Sequence, residues 1–274
     1  MRSRSIRLLA GAVLAMAVLG AGCAPAQPSP PRAGEATGPG ASGPRGTLKI
    51  AYDREPPTLS SKFLGGGGAG EFAWIFNSTL TFYDSRGVPH PLIAREIPTQ
   101  ERGDWIVRPD GTMVTTYRLR ENARWHDGAP LTAHDFVFAF EVYLDPQIPV
   151  VSRTAETRMS RVEAPDPHTL VIHWSETFPG ANVLGYQELN PLPRHLLEEK
   201  YRNNRANFAV GEEWTTAYIG SGPFRLEQWT PGSNMIARAH LGWLLARRNW
   251  KRSRFASSPI GPHWWPACSP ERST

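Results

Sequence analysis

Only two cysteines, Cys23 and Cys268, occur in 274 residues, which excludes a disulfide scaffold and a cysteine-rich zinc module. Long apolar runs are equally scarce. The one clear run, Leu8 to Leu19, is too short to cross a bilayer as a stable helix, so a multi-span membrane protein is excluded. No HExxH pairs the histidines, and no GxSxG frame surrounds a serine; Ser221 sits in Gly220-Ser221-Gly222 instead. Acidic residues are missing from the first 23 positions, and the last 34 hold only Glu271 against six basic residues. The formal charge of +5 is therefore carried by the two ends, and residues 24–240 net −3. Without a basic stripe interleaved with aromatics in the body, nucleic-acid binding is not expected.

Arg2, Arg4 and Arg7 precede the apolar run, and Gly20, Ala21 and Gly22 lead to Cys23. A basic start, an apolar core and small residues describe an export signal. The pattern resembles a bacterial lipoprotein lipobox, although Gly20 stands where leucine is usual and Leu19 falls one place early. The resemblance implies a signal peptide over 1–22 and a lipid on Cys23. Residues 24–46 hold six prolines and five glycines, with no aromatic and no large aliphatic residue. Such a segment cannot bury enough surface to offset its ordering entropy, so 23–46 is expected to be a lipidated, disordered tether.

A folded region is expected over 47–240. Thr47 to Tyr52 alternates as a first strand. Phe72, Ile75, Phe76, Thr79, Leu80 and Tyr83 keep a helical period, which predicts a helix over Glu71–Tyr83. Trp105–Val107 and Thr112–Leu119, joined through Pro109-Asp110-Gly111, predict a hairpin, and Arg158–Val162 with Thr169–Trp174 predict another. Thr132 and Asp135 have capping-box spacing ahead of a helix over Ala133–Leu144. Leu196–Tyr201 predicts a short helix, and Gly220-Ser221-Gly222-Pro223 turns into a strand over Phe224–Trp229. Helices mixed with antiparallel hairpins give an α/β class.

Chemical constellations are few. Gly65, Gly67 and Gly70 match GxGxxG, but prolines and a polar loop separate them from the strand, so a nucleotide cofactor is not expected. His126-Asp127 and His134-Asp135 suggest a metal or an acid–base site, yet Asp127-Gly128 reads as a turn and Asp135 as a cap. The reading is no enzyme, no cofactor and no metal. A secreted hydrolase or a membrane-tethered interaction domain without ligand closure are the alternatives.

The run Leu119-Arg120-Glu121-Asn122-Ala123-Arg124-Trp125-His126-Asp127-Gly128-Ala129-Pro130-Leu131-Thr132-Ala133-His134-Asp135-Phe136 resembles the signature of bacterial extracellular solute-binding proteins, family 5. Pro57-Thr58-Leu59, Leu192-Pro193-Arg194-His195-Leu196-Leu197 and Gly220-Ser221-Gly222-Pro223-Phe224 agree in order and spacing. The resemblance implies a periplasmic-binding-protein-like, type II clamshell fold. It also implies capture of a peptide, nickel or a similar solute for an ABC permease and ATPase, in the periplasm or at the outer face of the cytoplasmic membrane. Ser60-Ser61 stands where the family commonly has Asp-Pro. The loop after the first strand resembles the ligand-facing part of the first lobe, which makes Ser60, Ser61, Phe63 and Leu64 the expected cleft-facing residues.

Family members run to about twice this length, so 47–240 is expected to be essentially the first lobe. From Leu241 the pattern breaks: residues 241–274 hold four of the ten tryptophans and no legible periodicity. They are expected to be a non-family tail read in a shifted frame, leaving a truncated and impaired binder.

Overall fold

The computed structural model describes residues 47–52, 54–63, 69–245 and 252–257. The chain divides into two units, 1–41 and 42–274, and every described residue lies in the second. Cys23, the tether, Leu64 and residues 258–274 lie outside the described residues.

In chain order the elements are β1 (Thr47–Tyr52), α1 (Ala69–Phe76), β2 (Thr81–Tyr83), β3 (Pro89–Pro91), β4 (Trp105–Val107), β5 (Met113–Arg118), α2 (Ala133–Leu144), β6 (Met159–Asp166), β7 (Thr169–Trp174), α3 (Arg194–Asn203), β8 (Phe224–Thr230), β9 (Asn234–Ala239) and β10 (Arg252–Ser257). They form two four-stranded sheets, ordered β1-β10-β9-β8 and β4-β5-β7-β6, and a two-stranded ribbon, β2-β3. In the first sheet β10 runs parallel to β1 and antiparallel to β9. The second sheet is antiparallel throughout, as its hairpins demand.

Two turns need glycine. Gly111 (φ +84°) closes β4-β5 and Gly232 (φ +72°) closes β8-β9, both in the left-handed region where a side chain is strained. Helix α2 starts where its acid says it should. The Asp135 carboxylate accepts from the Thr132 N–H at 2.7 Å, and its other oxygen accepts from the Arg194 N–H at 3.0 Å. One side chain thus ends one helix's orphan donors and anchors the start of α3. The core runs between the sheets and helices through Phe72, Phe76, Tyr117, Trp125, Phe136, Trp174 and Phe208, all almost fully buried.

Two expectations need correction. The helix predicted over Glu71–Tyr83 stops at Phe76, and Thr81–Tyr83 is a strand paired with Pro89–Pro91. Ser78 breaks it: its N–H donates to Ser221 Oγ and its hydroxyl to the Ser221 carbonyl, which pulls the chain out of the helical path. The second concerns the tail. No strand is legible after 240, yet Arg252–Ser257 sits centrally in the first sheet, with β1 on one side and β9 on the other.

Candidate functional site

Beyond β1 the chain turns at Pro56-Pro57 into a loop that is fastened at almost every residue. The Glu55 carboxylate accepts from the Trp229 indole N–H and from the Gly232 N–H. Leu59 N–H donates to the Trp214 carbonyl at 2.9 Å, and Asn77 Nδ2 donates to the Leu59 carbonyl at 3.1 Å. Thr58 Oγ1 donates to the Trp214 carbonyl and accepts from the Ser60 N–H. Lys62 N–H donates to Ser60 Oγ, and the Lys62 carbonyl accepts from the Val151 N–H at 3.0 Å.

Lys62 is the unexpected residue. Its side chain is buried, and its ammonium donates to Glu156 Oε1 at 2.7 Å, the Ser152 carbonyl at 2.8 Å and the Gln187 carbonyl at 2.9 Å. The ring of Tyr143 lies 5.1 Å away. Burial pulls the lysine below its ordinary range and pushes Glu156 upward, while each partner's charge opposes the other's shift. An ammonium has three N–H bonds, one for each of these three acceptors, and Lys62 and Glu156 form a buried ion pair.

Of the expected cleft-facing residues that are described, Ser61 alone is partly exposed; its hydroxyl accepts from Asn190 Nδ2 at 2.7 Å. Ser60 is buried and spends its hydroxyl on the loop's own main chain. Phe63 is fully buried and does not face a cleft: its bridge to Val150 turns the ring edge-on to Tyr143, Phe208 and Trp214. Leu64 lies outside the described residues. Two residues join Ser61 on the accessible rim without having been expected. Trp74 on α1 is 40% exposed and meets Tyr186 edge to face at 5.2 Å, and the Tyr186 carbonyl accepts from the same Asn190 amide that reaches Ser61. A hydroxyl and two aromatic rings form a surface suited to a partly apolar ligand.

The signature motifs are scaffold. His126 Nδ1 accepts from the Gly220 N–H at 3.1 Å, so Nε2 carries the proton and donates to the Gly222 carbonyl at 3.1 Å. Burial drives its pKa down from 6.5 to about 3, and the imidazole is neutral. A Cβ on Gly222 would lie 2.4 Å from the Phe76 carbonyl carbon, so glycine is what lets this segment press against the end of α1. An apolar cavity of about 310 Å³ lies under α3, lined by Trp125, Leu192, Leu197, Trp214 and Tyr218. Among the described residues no group of three or more metal-ligating side chains gathers. No described helix is long and apolar enough to cross a membrane.

The profile of bacterial extracellular solute-binding proteins, family 5 (middle), matches residues 96–255. That is more than half of the chain. It belongs to this family. The match runs past residue 240, the boundary expected from sequence, and takes in most of β10. Among curated relatives, the periplasmic oligopeptide-binding protein OppA of Salmonella typhimurium is 25% identical over 177 residues, 57% of this chain and 29% of that protein. The probable deoxycholate-binding periplasmic protein YgiS of Escherichia coli is 23% identical over 215 residues, 71% of this chain and 37% of that protein. Among solved structures, the oligopeptide-binding protein of Thermus thermophilus complexed with a pentapeptide superposes with TM-score 0.69 at 18% identity, covering 77% of this chain and 41% of that one. NikZ of Campylobacter jejuni in complex with Ni(L-His) gives 0.63 at 23%, covering 77% and 39%. The fold is therefore the type II periplasmic-binding-protein fold, and this family 5 chain spans 29% and 37% of the length of these two curated relatives.

Proposed function

We propose that this family 5 chain serves as the solute-capturing component of an ABC-type importer, with the loop after β1 and its aromatic rim forming one wall of the ligand cleft. The observation that carries the reading is the convergence of Ser61, Trp74 and Tyr186 on the accessible side of a loop whose other contacts all point inward. Peptides are the favoured solute. A hydroxyl can pair with an extended backbone, aromatic faces suit its side chains, and the relative OppA is by name an oligopeptide-binding protein. In the same reading residues 1–22 direct export, Cys23 carries a lipid, and 23–46 tether the domain at the outer face of the membrane, where a permease and an ATPase complete the importer. One wall excludes water from one face of a ligand, so the 274 residues by themselves bind weakly.

Photo-crosslinking tests the placement. An alanine pentapeptide bearing a benzophenone is irradiated with the full chain, and the labelled residues are read by mass spectrometry. Labels at Ser61, Trp74 and Tyr186–Gln187 support the wall. Labels confined to α3 or to the β4-β5-β7-β6 sheet would remove it.

A further inference from the structure

We propose that the buried Lys62–Glu156 ion pair is the positioning element of the ligand-facing loop, setting the rim's geometry without touching the ligand. The inference rests on the reading of that loop as a ligand wall. Three stretches far apart in sequence meet at one ammonium. Lys62 comes from the loop, Ser152 and Glu156 from the segment before β6, and Gln187 from the segment that carries Tyr186 and Asn190. Each partner stretch is also tied to the loop beside the lysine. The Val151 N–H donates to the Lys62 carbonyl, Phe63 bridges Val150, and the Asn190 amide spans Ser61 Oγ and the Tyr186 carbonyl.

The directionality of these bonds is what apolar packing would lack. A buried methionine of similar length would fill the space yet leave the Ser152 and Gln187 carbonyls without the donor that orients them. Rim residues Ser61 and Tyr186 are each next in sequence to an atom of the cluster, so an error there is passed on through one peptide unit. Glu156 Oε2 has no hydrogen-bond partner among the described residues. Its Oε1 is held by the ammonium that holds the loop.

The test separates positioning from stability. Lys62→Met strands the carboxylate, whereas Lys62→Met with Glu156→Leu removes the stranded charge and keeps an apolar fill. Amide hydrogen exchange is measured on the full chain for the wild type and both variants. The Leu59, Lys62 and Val151 amides are scored against Thr115 and Thr116 of β5 in the same molecule, which cancels any residual change in global stability. The proposal expects loop exchange to be faster by about tenfold or more in both variants relative to β5, and crosslinking by the benzophenone pentapeptide to fall in parallel. Overturning it requires only that the double variant bring loop exchange back to the wild-type ratio, because the pair then contributes stability and nothing positional. Should the wild type give no crosslinks at the rim, the ligand-wall reading fails, and the exchange ratio still decides whether the pair orders the loop.

Discussion

Lowering the pH should unfold this chain through His126 in a way that one substitution can isolate. The imidazole is 7% exposed, fixed as the Nε2-protonated tautomer between Gly220 and Gly222, and has His240 and Arg225 nearby to repel a positive charge. Its pKa is about 3 in the fold, against 6.5 for an unhindered histidine. Between those values the unfolded chain binds a proton that the folded chain refuses. Stability from this site is therefore complete above about pH 6.5 and is lost as the pH falls toward 3. The loss amounts to about 2 kcal/mol at pH 5 and about 3 kcal/mol at pH 4, with a limiting slope of about 1.4 kcal/mol per pH unit. Urea unfolding at pH 7, 6, 5 and 4 for the wild type and His126→Gln measures it. The glutamine variant starts less stable, having lost the fit to two backbone groups, but its curve should fall less steeply by the stated amounts. Parallel curves for the two proteins would show that His126 is not held neutral in this environment and would refute the reasoning.

Other expectations follow from close contacts and caps. Gly222→Ala places a methyl group 2.4 Å from the Phe76 carbonyl carbon and 2.5 Å from the Asn77 nitrogen, both backbone; the expected cost is about 3 kcal/mol or more in urea unfolding, and a cost under about 0.5 kcal/mol would contradict the packing. Asp135→Ala removes the acceptor for the Thr132 and Arg194 N–H groups, and should cost about 1–2 kcal/mol, with circular dichroism reporting weakened helices; unchanged stability would argue against the cap. If Cys23 carries a lipid, the wild type partitions into the detergent phase and Cys23→Ser does not; equal partitioning, or cleavage downstream of Cys23, would count against the anchor.

What was legible in the sequence follows from which signals are local. Helix α2 carries its own start in Thr132 and Asp135 and its own stripe, and the two antiparallel hairpins carry alternation and turn residues, so these were placed within a residue or two except that β6 runs four residues past its expected end, to Asp166. Helix α1 was drawn too long because Thr79, Leu80 and Tyr83 keep helical spacing; the Ser78–Ser221 contact that ends it spans 143 positions. Strand β10 was missed because its partners β1 and β9 lie elsewhere in the chain and Arg252–Ser257 has no turn or alternation of its own to mark it. At the candidate site Ser61 is half-buried, whereas Phe63, expected to face a cleft, packs fully into the core. Lys62 passed unnoticed, since a lone lysine between serine and phenylalanine reads as solvated and its carboxylate partner lies 94 positions away. The one available sign was a charge placed directly before the apolar pair Phe63-Leu64. Trp74 and Tyr186 could not be linked from sequence at all, because only the fold makes them neighbours.

The central claim is that the loop after β1 is one wall of a solute cleft, and amide chemical-shift titration tests it most directly. The ¹⁵N-labelled 274-residue chain is titrated with unmodified alanine pentapeptide and, separately, with nickel, while the peptide is followed for cleavage. The account predicts peptide-dependent shifts concentrated at residues 59–63 and 186–190 and at the Trp74 indole. It also predicts an uncleaved peptide and a dissociation constant no better than roughly millimolar, about 4 kcal/mol. A micromolar, saturable isotherm would contradict the one-wall account. Shifts that leave residues 59–63 untouched, or turnover of the peptide, would contradict the claim that this loop is a binding surface.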